Sequence, residues 1–113
     1  MANTKEMMAE IQGNMVKLGK KHPKLTKTFM QELVPATTSD GALDHKTKEL
    51  IALGIAIAGK CEPCIGMHLM KCLKAGVTAE EIAEVCGVSV LMGGGPALMY
   101  SAKTMGMLED LTS

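Results

Sequence analysis

Apolar residues recur along most of this chain at spacings of three and four, a pattern that predicts helices and no convincing strand. From Thr4 to Lys21, the residues Met7, Met8, Ile11, Met15 and Leu18 form a stripe with Lys and Glu between them, which reads as an amphipathic helix. His22-Pro23 ends it, because the residue before a proline is pushed out of the helical region. Pro23 opens a short helix with Leu25, Phe29 and Leu33 on one face, stopped by Val34-Pro35, and Ala36 to Gly41 has the residue types of a turn-rich loop. Asp44 is placed to cap a third helix, whose stretch from Leu50 to Ala58 is apolar nearly all round and therefore predicts the central buried helix. Gly59-Lys60 interrupts this run, and a fourth helix begins near Cys61 and holds through Ala75 before Gly76 supplies a stop. Thr78 and Glu81 form a capping box ahead of a fifth helix carrying Ile82, Val85, Cys86, Val88, Ser89 and Met92. Gly93 to Gly95 and Pro96 break that helix, and a last one runs from Pro96 to about Leu108 with Leu98, Met99, Ala102 and Met105 expected inward. The three glycines follow a helix rather than a strand, so they read as a helix joint and not as a phosphate cradle. The expected fold is all-α, with about six helices.

Composition narrows the picture. The 113 residues are expected to form one domain, 1–113, small enough that association with further copies would help stabilise it. Apolar residues make up 47% of the chain but aromatics only 2%, so the core must be aliphatic, with the eleven Met residues filling its irregular gaps. Lys+Arg and Asp+Glu are both 12. No basic stripe points to nucleic acid or an anionic membrane as partner, and Lys17, Lys20, Lys21, Lys24 and Lys27 read as a solvated helix face and turn. No apolar run approaches the ~20 residues that span a bilayer. The N-terminus lacks the apolar stretch of a secretory signal, and four Cys with two in a CxxC do not resemble a secreted disulfide framework. A cytoplasmic location is the expectation.

The chemistry concentrates in the segment from Glu49 to His68. Cys61 falls near the N-cap of the fourth helix, where unpaired N–H groups and the positive end of the helix dipole favour a thiolate over a thiol. Pro63 fits the first turn because its missing N–H has no intrahelical partner there. Glu62 also suits the dipole, although its charge would oppose a nearby thiolate. Cys64 and His68 stand at i and i+4 and share one helix face, and a base beside a thiol is the usual way to make it nucleophilic. Glu49, on the preceding helix, can orient His68 or share a proton with it if the two helices pack as a hairpin. Cys72 and Cys86 are expected to be ordinary buried thiols. His22 reads as a solvated helix end and His45 as an exposed first-turn residue, while Tyr100, the sole tyrosine, is a candidate neighbour of the site from the last helix.

From Leu43 to about Met105 the chain resembles the alkylhydroperoxidase D-like branch of the carboxymuconolactone decarboxylase superfamily. The signature is a Glu, eleven residues, CxxC, three residues, then His, and Glu49, Cys61, Cys64 and His68 match that spacing. The flanking runs from Leu43 to Ala56 and from Gly76 to Ile82 match as well. The resemblance implies a small all-helical subunit that assembles as a trimer or hexamer, with its dithiol in an antiparallel helix pair. It further implies that Cys64 attacks a peroxide or disulfide, that His68 and Glu49 relay its proton, and that Cys61 resolves the intermediate into a Cys61–Cys64 disulfide. A lipoyl or thioredoxin-type dithiol would then reduce that disulfide. The helix dipole taken alone favours Cys61 as the nucleophile. Pro63 stands where the well-studied alkylhydroperoxidases carry a second His, and Cys-Glu-Pro-Cys is closer to the Cys-Gly-Pro-Cys of thioredoxin-like reductases, so disulfide reduction is expected ahead of peroxide reduction.

The leading expectation is a thiol–disulfide oxidoreductase with the catalytic set Cys61, Cys64, His68 and Glu49. The alternative is a metal or iron–sulfur protein. Cys61, Cys64, His68 and Cys72 follow one another at spacings of three, four and four, a stripe of zinc or cluster ligands along one helix. At ~1.5 Å per residue they spread over about 16 Å, too far for one ion. That alternative therefore places Cys61 and Cys64 as ligands at a subunit interface.

Overall fold

The computed structural model describes residues 3–113, and among them every regular element is helical. Helix α1 is Thr4–Lys21. Helix α2 is the continuous run 23–38, made of Pro23–Thr28, a π-helical stretch Phe29–Leu33 and Val34–Thr38. There follow α3, His45–Ala58, α4, Glu62–Lys74, α5, Ala79–Gly93, and α6, Gly95–Thr112. The six helices match the number expected from the sequence.

Two boundaries differ: α6 runs on to Thr112, past the end expected at about Leu108, and α2 passes its expected stop. Val34-Pro35 does not stop α2, and the residues expected to open a loop at Ala36 continue the helix to Thr38. The π-helical stretch is the reason: the Val34 N–H reaches back five residues to the Phe29 carbonyl, so the ladder is already widened where Pro35 brings no donor of its own. Thr37 and Thr38 then return their hydroxyls to the Leu33 and Val34 carbonyls.

The ends of α3 and α4 are set by their caps. Asp44 accepts from the Thr47 N–H at 2.8 Å and starts α3. At the other end the Lys60 N–H bonds the Ile57 carbonyl and the Cys61 N–H bonds the Ala56 carbonyl, a Schellman closure. Its left-handed position falls on Lys60, at φ 57°, rather than on Gly59. The same closure ends α4 with Gly76 at φ 84°, where glycine carries no steric cost. Thr78 and Glu81 exchange both bonds of the capping box that starts α5. Cys61 is thus the last residue of one helix-ending motif and the N-cap of the next helix.

The α3–α4 hairpin packs on the α5–α6 pair, and Leu53 and Ile57 of α3, Ile65 and Leu69 of α4 and Ile82 of α5 are wholly buried between them. Truncating one of these to Ala costs about 2–5 kcal/mol. Helix α1 crosses α4 at Gly66, where a Cβ would stand 2.6 Å from the Met8 sulfur. Its start is fastened to α6 by Thr4, whose N–H and hydroxyl both donate to Asp110 Oδ2. Only the first half of the α1 stripe is covered, since Met15 and Leu18 are exposed.

The inward face of α6 is not the expected one. Ala97, Ser101, Thr104 and Leu108 face the core, while Leu98, Met99, Ala102 and Met105 lie on the outside. Small and hydroxylated residues allow the close approach of α6 to its neighbours, and Thr104 satisfies its hydroxyl on the Tyr100 carbonyl. Leu98, Met99 and Met105 are left for another surface, while Met107 and Leu108 join the core. Val88 and Met92 of α5 and Ile51 and Ile55 of α3, from the helix expected to be buried all round, are also exposed.

Candidate active site

The hairpin brings the four signature residues to one end and one flank of the α3–α4 pair. Cys61 and Cys64 are joined as a disulfide across the first turn of α4, with their Cα atoms 5.2 Å apart. The Cys64 N–H points to Cys61 Sγ at 3.3 Å, so the helix N-terminus acts on Cys61 as its dipole predicts. Cys64 is the more exposed of the two. The two cysteines therefore divide the favourable properties: Cys61 has the donor that stabilises a thiolate, and Cys64 has the access that an attacking group needs.

His68 lies one turn beyond Cys64 on α4, with its side chain 24% exposed. Its Nδ1 shares a proton with Glu49 Oε1 at 2.8 Å, a contact between residues nineteen positions apart that only the hairpin creates. Glu49 is 0% exposed although it lies only one turn into α3. With Nδ1 held by the carboxylate, Nε2 is the ring nitrogen available to take or return a proton.

Glu62, whose charge would oppose a thiolate in the same turn, is paired. Lys103 of α6 reaches it at 2.9 Å, and that bond raises the Lys103 pKa. Nothing in the sequence marked this pair, because the two residues are forty-one positions apart and each is an ordinary surface type. Tyr100, one turn before Lys103 on α6, is half-buried against the core. His22 caps α2 by accepting the Leu25 N–H on Nδ1.

Cys72 and Cys86 are free and buried. Burial, then the negative charge of Glu49, pushes the Cys72 thiol up to about 11, and burial also raises Cys86. Neither is suited to act as a thiolate. Among the described residues, no three His, Cys, Asp or Glu side chains group as they would around a metal ion. No helix among them is long and apolar enough to cross a membrane.

The model of the carboxymuconolactone decarboxylase family matches residues 23–105. An uncharacterized protein of Cupriavidus necator is 34% identical over 109 residues, covering 96% of each chain. The crystal structure of an apo carboxymuconolactone decarboxylase family protein from Legionella pneumophila superposes with a TM-score of 0.92 at 41% identity, covering 97% of each chain. A family member from Thermotoga maritima, for which a part in the antioxidative response has been suggested, gives a TM-score of 0.82 at 30% identity over 94% of this chain and 90% of that one.

Proposed function

The chain belongs to the carboxymuconolactone decarboxylase family, and from that premise we propose that it is a thiol–disulfide oxidoreductase whose redox centre is the Cys61–Cys64 pair. The observation that carries this reading is the Glu49–His68 pair, one turn along α4 from a CxxC at that helix's N-terminus.

In the proposed cycle the reduced dithiol gives the Cys64 proton to His68, and Glu49 stabilises the imidazolium. The Cys64 thiolate attacks one sulfur of the substrate disulfide, forming a mixed disulfide and releasing the other sulfur as a thiolate that takes up a proton. Cys61 then loses its proton and attacks Cys64 Sγ, closing the Cys61–Cys64 disulfide and expelling the second substrate thiolate. Two electrons pass from the protein to the substrate, which takes up two protons and leaves as two thiols. A dithiol donor of lipoyl or thioredoxin type restores the reduced state by attacking Cys64 and expelling Cys61. The N–H bond to Cys61 Sγ makes it a good leaving group in that step. A hydroperoxide is the secondary substrate: attack on its outer oxygen gives an alcohol and a Cys64 sulfenic acid, which Cys61 resolves with loss of water. Pro63 in place of a proton-carrying side chain favours the disulfide.

The same reading includes a homo-oligomer, a trimer or hexamer. Leu91, Met92, Ile55, Met99 and Val88 are 80%, 79%, 68%, 63% and 62% exposed, more apolar surface than a lone chain ordinarily leaves to water. An apolar groove of about 600 Å³ runs between α3 and α5, with Ile51, Ile55, Val88 and Met92 on its walls.

Trapping tests the assignment of roles. In Cys61→Ser the substrate should remain attached to Cys64 as a mixed disulfide, visible by peptide mass, whereas Cys64→Ser should capture nothing at Cys61 and lose turnover. Full reductase and peroxidase activity in Cys64→Ser would overturn the proposal.

A further inference from the structure

Glu49 has a second oxygen that the contact with His68 does not use. Oε2 is buried and has no hydrogen-bond partner among the protein groups. Glu49 is among the residues that line a cavity of about 460 Å³, with Thr38, His45, Lys71 and Lys74, and its carboxyl group is closed off from that space in this structure. The cavity is roomy and polar enough to hold water. His45 and Glu49 stand at i and i+4 on α3 and therefore share one face of that helix. The His45 ring is held from the side of α2, where Nδ1 meets the Thr38 carbonyl at 2.6 Å. A carbonyl only accepts, so Nδ1 carries the hydrogen and Nε2 is the basic nitrogen.

The charged and titratable groups around the carboxyl are few. Lys71 and Lys74 of α4 line the same cavity, His68 of α4 holds the other oxygen, and the Cys72 thiol feels the Glu49 charge. On the loop before α3, Asp40 accepts the His45 backbone N–H at 2.7 Å and Asp44 is the adjacent cap.

Resting on the function proposed above, the geometry points to His45 as the outer proton carrier of the site. A disulfide bound over Cys64 covers the exposed edge of His68, so the Cys64 proton leaves on the inner side. It passes from His68 Nδ1 to Glu49 Oε1, turns with the carboxyl group to the cavity, and is taken at His45 Nε2, which returns it to solvent. No bond to sulfur changes in this transfer. His45 in this way supplies the second histidine that the Cys-Glu-Pro-Cys turn lacks.

The test is single-turnover closure of the Cys61–Cys64 disulfide. Reduced protein is mixed with excess hydroxyethyl disulfide at neutral pH, quenched with acid, and its remaining thiols are labelled and counted. His45→Ala should close about tenfold more slowly than wild type, less than the roughly hundredfold or more of a direct acid–base partner because His45 acts through Glu49 and His68. Added imidazole should restore at least half of the loss. Pyrazole, which has the same shape but is a far weaker base, should restore none. His45→Asn keeps a donor for the Thr38 carbonyl and removes only Nε2, so it should be slowed as much as His45→Ala. Equal rates for wild type and both variants, slowing that imidazole does not relieve, slowing that pyrazole relieves equally, or a normal rate in His45→Asn would each overturn the inference. Failure of the underlying function is a different result: wild-type protein that closes no disulfide with either hydroxyethyl disulfide or a hydroperoxide.

Discussion

His68 Nδ1 and Glu49 Oε1 lie 2.8 Å apart across the α3–α4 hairpin, with the carboxylate wholly buried and the ring partly open to solvent. A buried carboxylate holding one nitrogen of an imidazole fixes the ring's tautomer and orientation and leaves the other nitrogen free to take a proton. That nitrogen belongs to the residue one helical turn from the exposed cysteine of the CxxC.

Replacing Glu49 by Gln keeps the shape and a hydrogen-bonding group but removes the charge. Turnover of a disulfide should fall about a hundredfold, the scale of a lost acid–base partner. The thiolate absorbance of Cys64 in the reduced protein should titrate at higher pH than in wild type, because the imidazolium that favours the thiolate is itself less favoured. Steady-state kcat/KM and an ultraviolet pH titration on the same samples check both.

The four cysteines should separate cleanly by reactivity. In the native reduced protein near pH 8, two thiols should react with a disulfide reagent, and all four should react after unfolding. Cys72, pushed up to about 11 by burial and by Glu49, and buried Cys86 make up the silent pair. Timed labelling with peptide mapping reads the assignment directly.

Asp110 gives α1 a defined acid sensitivity. Its backbone and hydroxyl bonds from Thr4 hold the Asp110 pKa below the usual aspartate value. A carboxyl with a lowered folded value contributes stability that is complete above its unfolded value, about 3.9, and is lost as pH falls through the folded value. The melting temperature of wild type should therefore drop more steeply below about pH 4 than that of Asp110→Asn. Hydrogen exchange at the start of α1 should rise over the same range.

The outward apolar face of α5 and α6 should be an interface between copies. Light scattering should give wild type a mass of three or six chains. Leu91→Glu, placed where the side chain is 80% exposed in the single chain, should weaken assembly about a hundredfold, the scale of an interface hot spot. A single-chain mass for wild type at micromolar concentration would contradict the oligomer.

Much of the frame was legible in the residues themselves. The Asp44 and Thr78 caps, the Gly76 stop and the N-cap position of Cys61 depend on local backbone chemistry, and the structure places each as read. Residues further apart were less legible. Pro35 reads as a helix stop unless a π-helical stretch precedes it, and no local residue type announces one. Leu98, Met99 and Met105 of α6 read as core, but the core side is formed by Ala97, Ser101 and Thr104 and, further along, by Met107 and Leu108. Glu49 and His68 were paired through their spacing in a family signature, while Lys103 with Glu62 and His45 with Thr38 had no such guide.

The most direct measurement is made on protein purified without air: bound iron, zinc and sulfide, thiols before and after one equivalent of a small disulfide, and the same count for Cys64→Ser. The account predicts metal-free wild type that loses two thiols, forms the Cys61–Cys64 disulfide by peptide mass and turns over again with a dithiol donor, while Cys64→Ser does none of this. Stoichiometric metal or sulfide that masks Cys61 and Cys64, or undiminished turnover in Cys64→Ser, would contradict it.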